Sequence, residues 1–240
     1  MLICGNLCPQ DWAEVRKVRK TDAKEYREER YWSKLAHSYE RDGEYVVGKP
    51  ILQAILTRLS EEQDLGDCVE FGCGTGYFTR AVAGQARHLI ATDLSDQMLE
   101  VARTQLSDLP NVTIQKEDCA HTDFPAESFD SVLMVNLIHV MDDALPCLQE
   151  SYRILRSGGS LIVVDFTGYR LALSKTAQLV WKSLKRWGLP RRHEKHDLSP
   201  EELVRLVERA GFKVKDVHLL EGGSNAIYMR SLKCAKLPFT

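Results

Sequence analysis

The hydrophobic rhythm of the chain changes near Gly66. Before it, apolar positions recur at helical spacing. Trp12, Val15, Tyr26, Tyr31, Trp32, Leu35 and Tyr39 are spread through the highly charged stretch from Asp11 to Asp42, which predicts one or two amphipathic helices lying over something else. Pro50 then opens a further helix, Ile51 to Leu59, with Ile51, Leu52, Ile55, Leu56 and Leu59 at helical spacing. After Gly66, short apolar runs alternate with helical stretches. Cys68–Phe71, His88–Thr92, Val112–Gln115, Ser131–Asn136 and Ser160–Phe166 read as strands. The fourth is apolar enough to be buried on both faces. Tyr77–Ala86, Asp96–Leu106 with Ser95 as N-cap, and Ala144–Leu155 read as helices, the last broken by Gly158-Gly159. Strands separated by helices of about ten residues imply βαβ units and a mostly parallel sheet.

The stretch from Tyr169 to Lys195 interrupts this alternation. Leu171, Leu173, Ala177, Val180, Trp181 and Leu184 fall near one helical face, with Lys175, Lys182 and Lys185 elsewhere. Ser199-Pro200-Glu201-Glu202 is a helix start, with a cap, a first-turn proline and acids against the dipole. Gly211 ends that helix. Val214–Leu219 and Ala226–Leu232 predict two last strands joined at Gly222-Gly223.

Charge changes this picture only locally. The formal net charge of −2 gives no global pull towards nucleic acid or membrane. From Asp64 to Glu150 there are fifteen acidic residues against four basic, and from Gly168 to Lys195 eight basic against one acidic. A basic segment thus follows an acidic one. The seven cysteines are odd in number and lack a repeated spacing, which predicts free thiols in a reducing compartment. Cys4 and Cys8 form a lone C-x3-C, too little to predict a metal site. No apolar run reaches the roughly 18 residues of a membrane span. The first residues lack the pattern of a secretory leader, so a cytoplasmic protein is expected.

The run Val69-Glu70-Phe71-Gly72-Cys73-Gly74-Thr75-Gly76 carries the chemistry. Three glycines on a two-residue spacing, after an apolar segment, suit a strand-to-helix turn that brings bare backbone close to a nucleoside ligand. Glu70 precedes the first glycine by two residues. Asp93 ends the second predicted strand, Asp118 follows the third, and Asn136 ends the fourth. A ligand at the carboxyl ends of parallel strands would touch all four. A nicotinamide site is the competing reading, but its G-x-G-x-x-G fingerprint would place the third glycine one residue later than Gly76.

These residues make the chain resemble the class I S-adenosylmethionine-dependent methyltransferases, in the small-molecule type 11 or UbiE-like branch. The likeness runs from about Tyr31 to Lys233. It rests on the glycine run, on Ala-Thr-Asp-Leu-Ser-Asp-Gln-Met-Leu, on Glu-Asp-Cys-Ala with the following Phe-Pro and Ser-Phe-Asp, and on Tyr-Arg-Ile-Leu-Arg-Ser-Gly-Gly-Ser-Leu-Ile-Val-Val-Asp-Phe. It implies an α/β fold with a doubly wound, mostly parallel seven-stranded Rossmann-like sheet and a C-terminal antiparallel strand. N-terminal helices (1–49) would cover the active site of a methyltransferase domain (50–240), with 169–198 as a helical cap insertion. The cofactor implied is S-adenosyl-L-methionine. Gly72, Gly74 and Gly76 would approach its methionine and ribose parts, and Glu70 would help position the amino end. Asp93 would take the ribose hydroxyls, with Leu94 and Met98 by the adenine. Asp118 would accept from the adenine amino group, with the Cys119 backbone beside the ring and Cys73 lining the site. Asn136 would lie by the methionine portion, and Tyr39 would line the pocket.

Methyl transfer needs a base only when the acceptor must lose a proton. His139, three residues after Asn136, is the best-placed candidate, against a plainer reading as a loop histidine that packs. Tyr39 is a second candidate, better suited to closing the pocket. His193 and His196 fit a solvated turn better than a lid. Trp181 and Trp187 could belong to the core, to a substrate cap or to a membrane contact; the cap is the preferred reading. The acceptor expected is a small molecule, with no nucleic-acid partner. The rival class is a non-catalytic cofactor-binding partner protein. Oligomeric state is not legible.

Overall fold

A computed structural model of the chain describes residues 29–188 and 198–234. Helical residues 29–35 (α1) lead into α2 (Tyr39–Val47) and α3 (Lys49–Ser60). The alternating part follows: β1 (Gly66–Phe71), a single turn α4 (Thr79–Val82), β2 (Ala86–Asp93), α5 (Asp96–Gln105), β3 (Val112–Lys116), β4 (Phe129–Val135), α6 (Leu145–Ile154) and β5 (Leu155–Thr167). Then come α7 (Leu173–Trp187), α8 (Pro200–Arg209), β6 (Phe212–Glu221) and β7 (Asn225–Lys233). The seven strands form one sheet in the order β3-β2-β1-β4-β5-β7-β6. All pairs are parallel except those made by β7, which runs antiparallel to both β5 and β6. The doubly wound α/β sheet expected from the sequence is the one observed.

Period-two alternation decides which helix packs where. Val132 and Met134 of β4, with Leu161 and Val163 of β5, face Leu148 of α6 and Leu203 and Val207 of α8. Leu133, Val135, Ile162 and Val164, from the same strands, face Ile51, Ile55 and Leu59 of α3. Both faces are therefore dry, as the continuous apolar run of β4 predicts. Each such side chain contributes roughly 1.5–3 kcal/mol on burial. The capping box at Ser199 forms as expected: its hydroxyl accepts from the Glu202 N–H at 3.1 Å, and the Glu202 carboxylate accepts from the Ser199 N–H at 2.9 Å.

Two elements differ from expectation. The helix expected over Tyr77–Ala86 is only Thr79–Val82, continued by a 3-10 turn, Ala83–Gln85. The Asn111 amide cuts it short by donating to the carbonyls of Ala83 (2.7 Å) and Ala86 (3.0 Å). Gly158-Gly159 does not break α6, which ends at Ile154 and passes directly into β5. The glycines instead sit in an irregularity where the β4 register shifts between Phe129 and Ser131. A Cβ on Gly159 would lie 2.9 Å from the carbonyl oxygens of both Arg156 and Asp130. Cys4, Cys8, the expected helical positions before Glu29, His193 and His196 lie outside the described residues.

The two ends of the sheet differ in chemistry. At the amino ends, Asp67, Arg87, Asp130 and Arg156 form an exposed ion network, with Arg156 Nη1 2.6 Å from Asp130 and Arg87 Nε 3.0 Å from Asp67. The Arg87 guanidinium, then His88, hold the Asp67 carboxyl well below the usual range. This network is saturated with its own counter-charges, which leaves the carboxyl ends for ligands.

The β6–β7 turn docks on the entry to α3, and one glycine permits it. A Cβ on Gly222 would fall 2.5 Å from the Ile51 amide nitrogen, whereas one on Gly43, inside α2, would meet nothing within 4 Å. Gly222→Ala should therefore destabilise by about 1–3 kcal/mol through overpacking against backbone. Gly43→Ala should stabilise by roughly 0.5–1 kcal/mol through helix propensity. Urea denaturation of the two variants checks both signs.

Candidate functional site

The strand order reverses at β1, which pairs with β2 on one side and β4 on the other. Loops leaving these strands at their carboxyl ends diverge to opposite faces of the sheet, and a crevice opens between them. Glu70, the glycine run, Asp93 and Asn136 all lie at this edge.

Each glycine of the run has positive φ: +71° at Gly72, +55° at Gly74 and +86° at Gly76. Their surroundings differ. A Cβ on Gly72 would come 2.8 Å from Leu137, and one on Gly76 2.7 Å from Leu106. At Gly74 a Cβ would meet nothing within 4 Å. Gly72 and Gly76 therefore let the loop pack down, and Gly74 presents bare backbone to open space. The Cys73 N–H donates to Thr92 O at 2.8 Å, which pins the loop to β2. Burial, reinforced by Glu70 and Asp93, holds the Cys73 thiol well above its ordinary value. It is suited to lining a site and not to nucleophilic attack.

Asp93 joins the two loops. Its Oδ2 accepts from the Gly74 N–H at 3.0 Å and its Oδ1 from the Ser95 N–H at 2.9 Å. Burial raises its pKa while these backbone donors lower it. A carboxylate has about four acceptor sites, so capacity remains for a ligand hydroxyl. Leu94 is half-buried beside it, and Met98 is buried in α5 with its N–H donating to Ser95 Oγ at 3.3 Å. After β3, Asp118 accepts from the Ala120 N–H at 2.9 Å and contacts His121 Nδ1 at 3.2 Å. Its neighbour Cys119 is half-buried against the core.

Asn136 follows β4 with φ +57°, a rare conformation for a residue with a side chain. Its N–H donates to Val164 O at 2.7 Å, but its buried side-chain Oδ1 has no hydrogen-bond partner. A buried acceptor without a donor is costly and marks a place where a ligand donor is wanted.

Three participants escape the sequence reading. Glu40, next to Tyr39, accepts from Thr75 Oγ1 and from Gln105 Nε2, both at 2.7 Å, and so ties α2 to the glycine loop and to α5. Thr79 Oγ1 donates to Glu70 at 2.6 Å. Asp165, fully buried on β5, accepts from the N–H groups of Ile138 (2.7 Å) and His139 (3.1 Å), and its other oxygen is paired with His139 Nδ1. Asp165 was findable, because it ends an apolar parallel strand beside the crevice. Glu40 was not, because nothing local predicts where α2 rests. Tyr39 packs edge-on against Trp32, ring centroids 6.0 Å apart.

These residues form a donor set that fits S-adenosylmethionine. The chain offers an open glycine backbone, a carboxylate with spare acceptor sites for ribose, and acceptors for an ammonium at Glu70 and Asn136. Among the described residues no His, Cys, Asp and Glu group could hold a metal ion.

Glu70 is 1% exposed, and burial lifts its carboxyl from 4.5 to about 7, opposed by the Thr79 hydrogen bond and reinforced by Asp93. The folded chain thus keeps a proton that the unfolded chain releases near 4.5. Stability from this group is present at low pH and is lost as pH rises through about 7. Glu70→Gln keeps the acceptor for Thr79 and removes the titration. It should be more stable than the parent above pH 7, by about 1–3 kcal/mol, and no more stable near pH 4.5. Urea titrations at the two ends of the range read this directly.

Comparison with known proteins agrees with this geometry. Residues 69–163 match a family described as a methyltransferase domain. The demethylmenaquinone methyltransferase of Tropheryma whipplei is 26% identical over 174 residues, covering 68% of this chain and 72% of that one. That of Listeria welshimeri is 24% identical over 228 residues, covering 87% and 97%. The solved structure of an S-adenosylmethionine-dependent methyltransferase from Thermotoga maritima superposes with a TM-score of 0.65 at 27% identity, covering 85% and 99%. Residues 69–163 thus carry a methyltransferase domain, and over most of its length the chain is similar to S-adenosylmethionine-dependent methyltransferases.

Proposed function

We propose that the chain methylates a small aromatic acceptor of the hydroquinone class, and that His139, oriented by Asp165, accepts the proton the acceptor gives up. When bound, S-adenosylmethionine supplies a methyl group on a sulfonium, which leaves as a thioether. Asp93 would hold the ribose hydroxyls, Asp118 the adenine amino group, and Glu70 and Asn136 the methionine amino end, with Leu94, Met98, Cys73 and the Cys119 backbone lining the pocket. An ammonium there favours ionised Glu70, so binding below pH 7 would release a proton.

The observation that carries the proton-acceptor role is the His139–Asp165 pair. A buried carboxylate at Nδ1 fixes the tautomer, placing the proton on Nδ1 and a lone pair on Nε2. The two backbone N–H groups bound to the other oxygen hold the loop that carries His139. This is the arrangement of an oriented general base. During transfer His139 Nε2 would take the proton that the acceptor gives up and pass it to solvent. The acceptor class draws on the demethylmenaquinone methyltransferases to which the chain is similar. Tyr39, Trp32 and Phe166 would give the mouth an aromatic lining; Phe166 lies 6.3 Å from the His139 ring, edge-on. Tyr39 closes the pocket in this reading and is not the base.

The test is labelled-methyl transfer to a panel of short-chain hydroquinones, phenols and amines. His139→Gln should lower kcat on hydroquinones about 10²–10⁴-fold, the usual worth of a general base. It should leave S-adenosylhomocysteine affinity, measured by calorimetry, within about threefold. Asp165→Asn should reverse the tautomer preference and lose the acidic limb of the pH profile, the limb that a general base imposes. Parent-level transfer by His139→Gln would remove the base assignment, and transfer confined to amines would remove the acceptor class.

A further inference from the structure

We propose that α7 is an interfacial helix, which lays an apolar stripe on the surface of an anionic lipid bilayer at the rim of the crevice. The large apolar side chains left exposed among the described residues are Leu173, Val180, Trp181 and Leu184, and all four belong to this helix. Trp181 is 59% exposed and Leu173 88%. On a helical wheel they fall at i, i+7, i+8 and i+11, an arc about 100° wide. No residue of the fifteen in α7 is buried. A helix that used this stripe to complete the core would bury it.

The opposite side of α7 is accounted for. Arg186 and Lys182 lie over the Tyr45 ring at 4.7 and 5.4 Å, and Arg186 pairs with buried Asp42 at 3.5 Å. The polar side thus rests on α2 and the apolar stripe faces away from the protein, a reversal of the usual order for a surface helix. Charge then selects the occupant. The helix contains no acidic residue, Lys185 is exposed beside the stripe, and Arg170 is exposed just before the helix. Trp181 with flanking lysines is the composition of helices that lie in the headgroup layer. A second copy docked through the same stripe would set cations against cations. Residues 1–28 carry six basic and five acidic residues, so they offer no anionic partner either. The helix is too short to span a bilayer, and no helix of the described residues is long and apolar enough to cross one.

The place of α7 gives the contact a use. It follows the carboxyl end of β5, where Asp165, two residues before the strand end, holds the His139 loop, and it rests on α2, whose Glu40 is bonded to the glycine loop. A bilayer on the stripe would therefore adjoin the entrance used by an apolar acceptor. The docking itself does not need the hydroquinone reading.

The full chain is sedimented with acceptor-free vesicles of phosphatidylcholine alone or mixed with phosphatidylglycerol. Co-sedimentation is expected with the mixed vesicles, weakening as salt rises, and little with the neutral ones. Trp181→Ser with Leu184→Ser should reduce it at least about tenfold. S-adenosylhomocysteine affinity should be unchanged, which shows that the variant is folded. The proposal is overturned if mixed vesicles bring down no protein, or if the double variant binds them as the parent does. It is overturned also if size exclusion reveals a dimer that the double variant abolishes, since the stripe is then covered by a second copy. Because no acceptor is present, none of these results depends on whether hydroquinones are methylated.

Discussion

Everything at the crevice rests on the parallel pairing of β1 with both β2 and β4. Glu70 stands level with Ala91 on one side and Leu133 on the other, and Phe71 with Thr92 and Met134. The three strands therefore end at nearly the same height. The β1 exit must turn to the face of α3 and α4, and the β4 exit to the face of α6, so the loops separate and leave a gap. Only then can Gly72 settle on Leu137 from the far loop, and Gly76 on Leu106 beyond α5. The one glycine not consumed by packing, Gly74, is left looking into the gap. A slip of one residue in either pairing would turn Glu70 and the core residues beside it to opposite faces.

This dependence explains what could be read from the sequence. Strands and their order of polarity follow from local runs, and so do Glu70, Asp93, Asp118 and Asn136, because each sits at a strand end. The chain gives no local sign of contacts made across elements. Asp165 pairs with a histidine twenty-six residues earlier, and Glu40 meets Thr75 and Gln105, thirty-five and sixty-five residues away. The short α4 was missed because its stop signal, Asn111, is equally remote. Gly158-Gly159 misled for another reason. Glycine marks both a chain break and a close backbone approach, and only the second applies here. The stripe of α7 was visible as a stripe; which way it faced required Tyr45 and Asp42.

The crevice gathers carboxyl groups that would destabilise an ordinary core. Glu70 and Asp93 are both pushed upward by burial, and Asn136 buries an unpaired oxygen in a strained backbone. Their common property is that each accepts hydrogen bonds. A ligand carrying a sulfonium, an ammonium and two ribose hydroxyls offers the donors and positive charge that such a set lacks. Such a set suits a cationic ligand rich in hydrogen-bond donors, because its buried acceptors would gain partners on binding.

The rim is held less firmly than the sheet edge. Where α7 meets α2, Asp42 Oδ1 is buried with ion contacts at 3.5 and 3.9 Å but no hydrogen bond, and Trp187 Nε1 is buried without a partner. Each such atom costs about 1–3 kcal/mol relative to a satisfied one. The joint is therefore easier to open than β4 against β5, which are held by a parallel ladder running from Ser131 beside Ser160 to Val135 beside Val164. Methyl transfer is helped by excluding water from a centre that is losing charge, yet the acceptor must enter. A rigid floor that positions the reacting atoms, with a loosely joined rim through Glu40, Asp42 and α7, meets both demands. At this rim the packing between α7 and α2 is what leaves polar atoms unsatisfied.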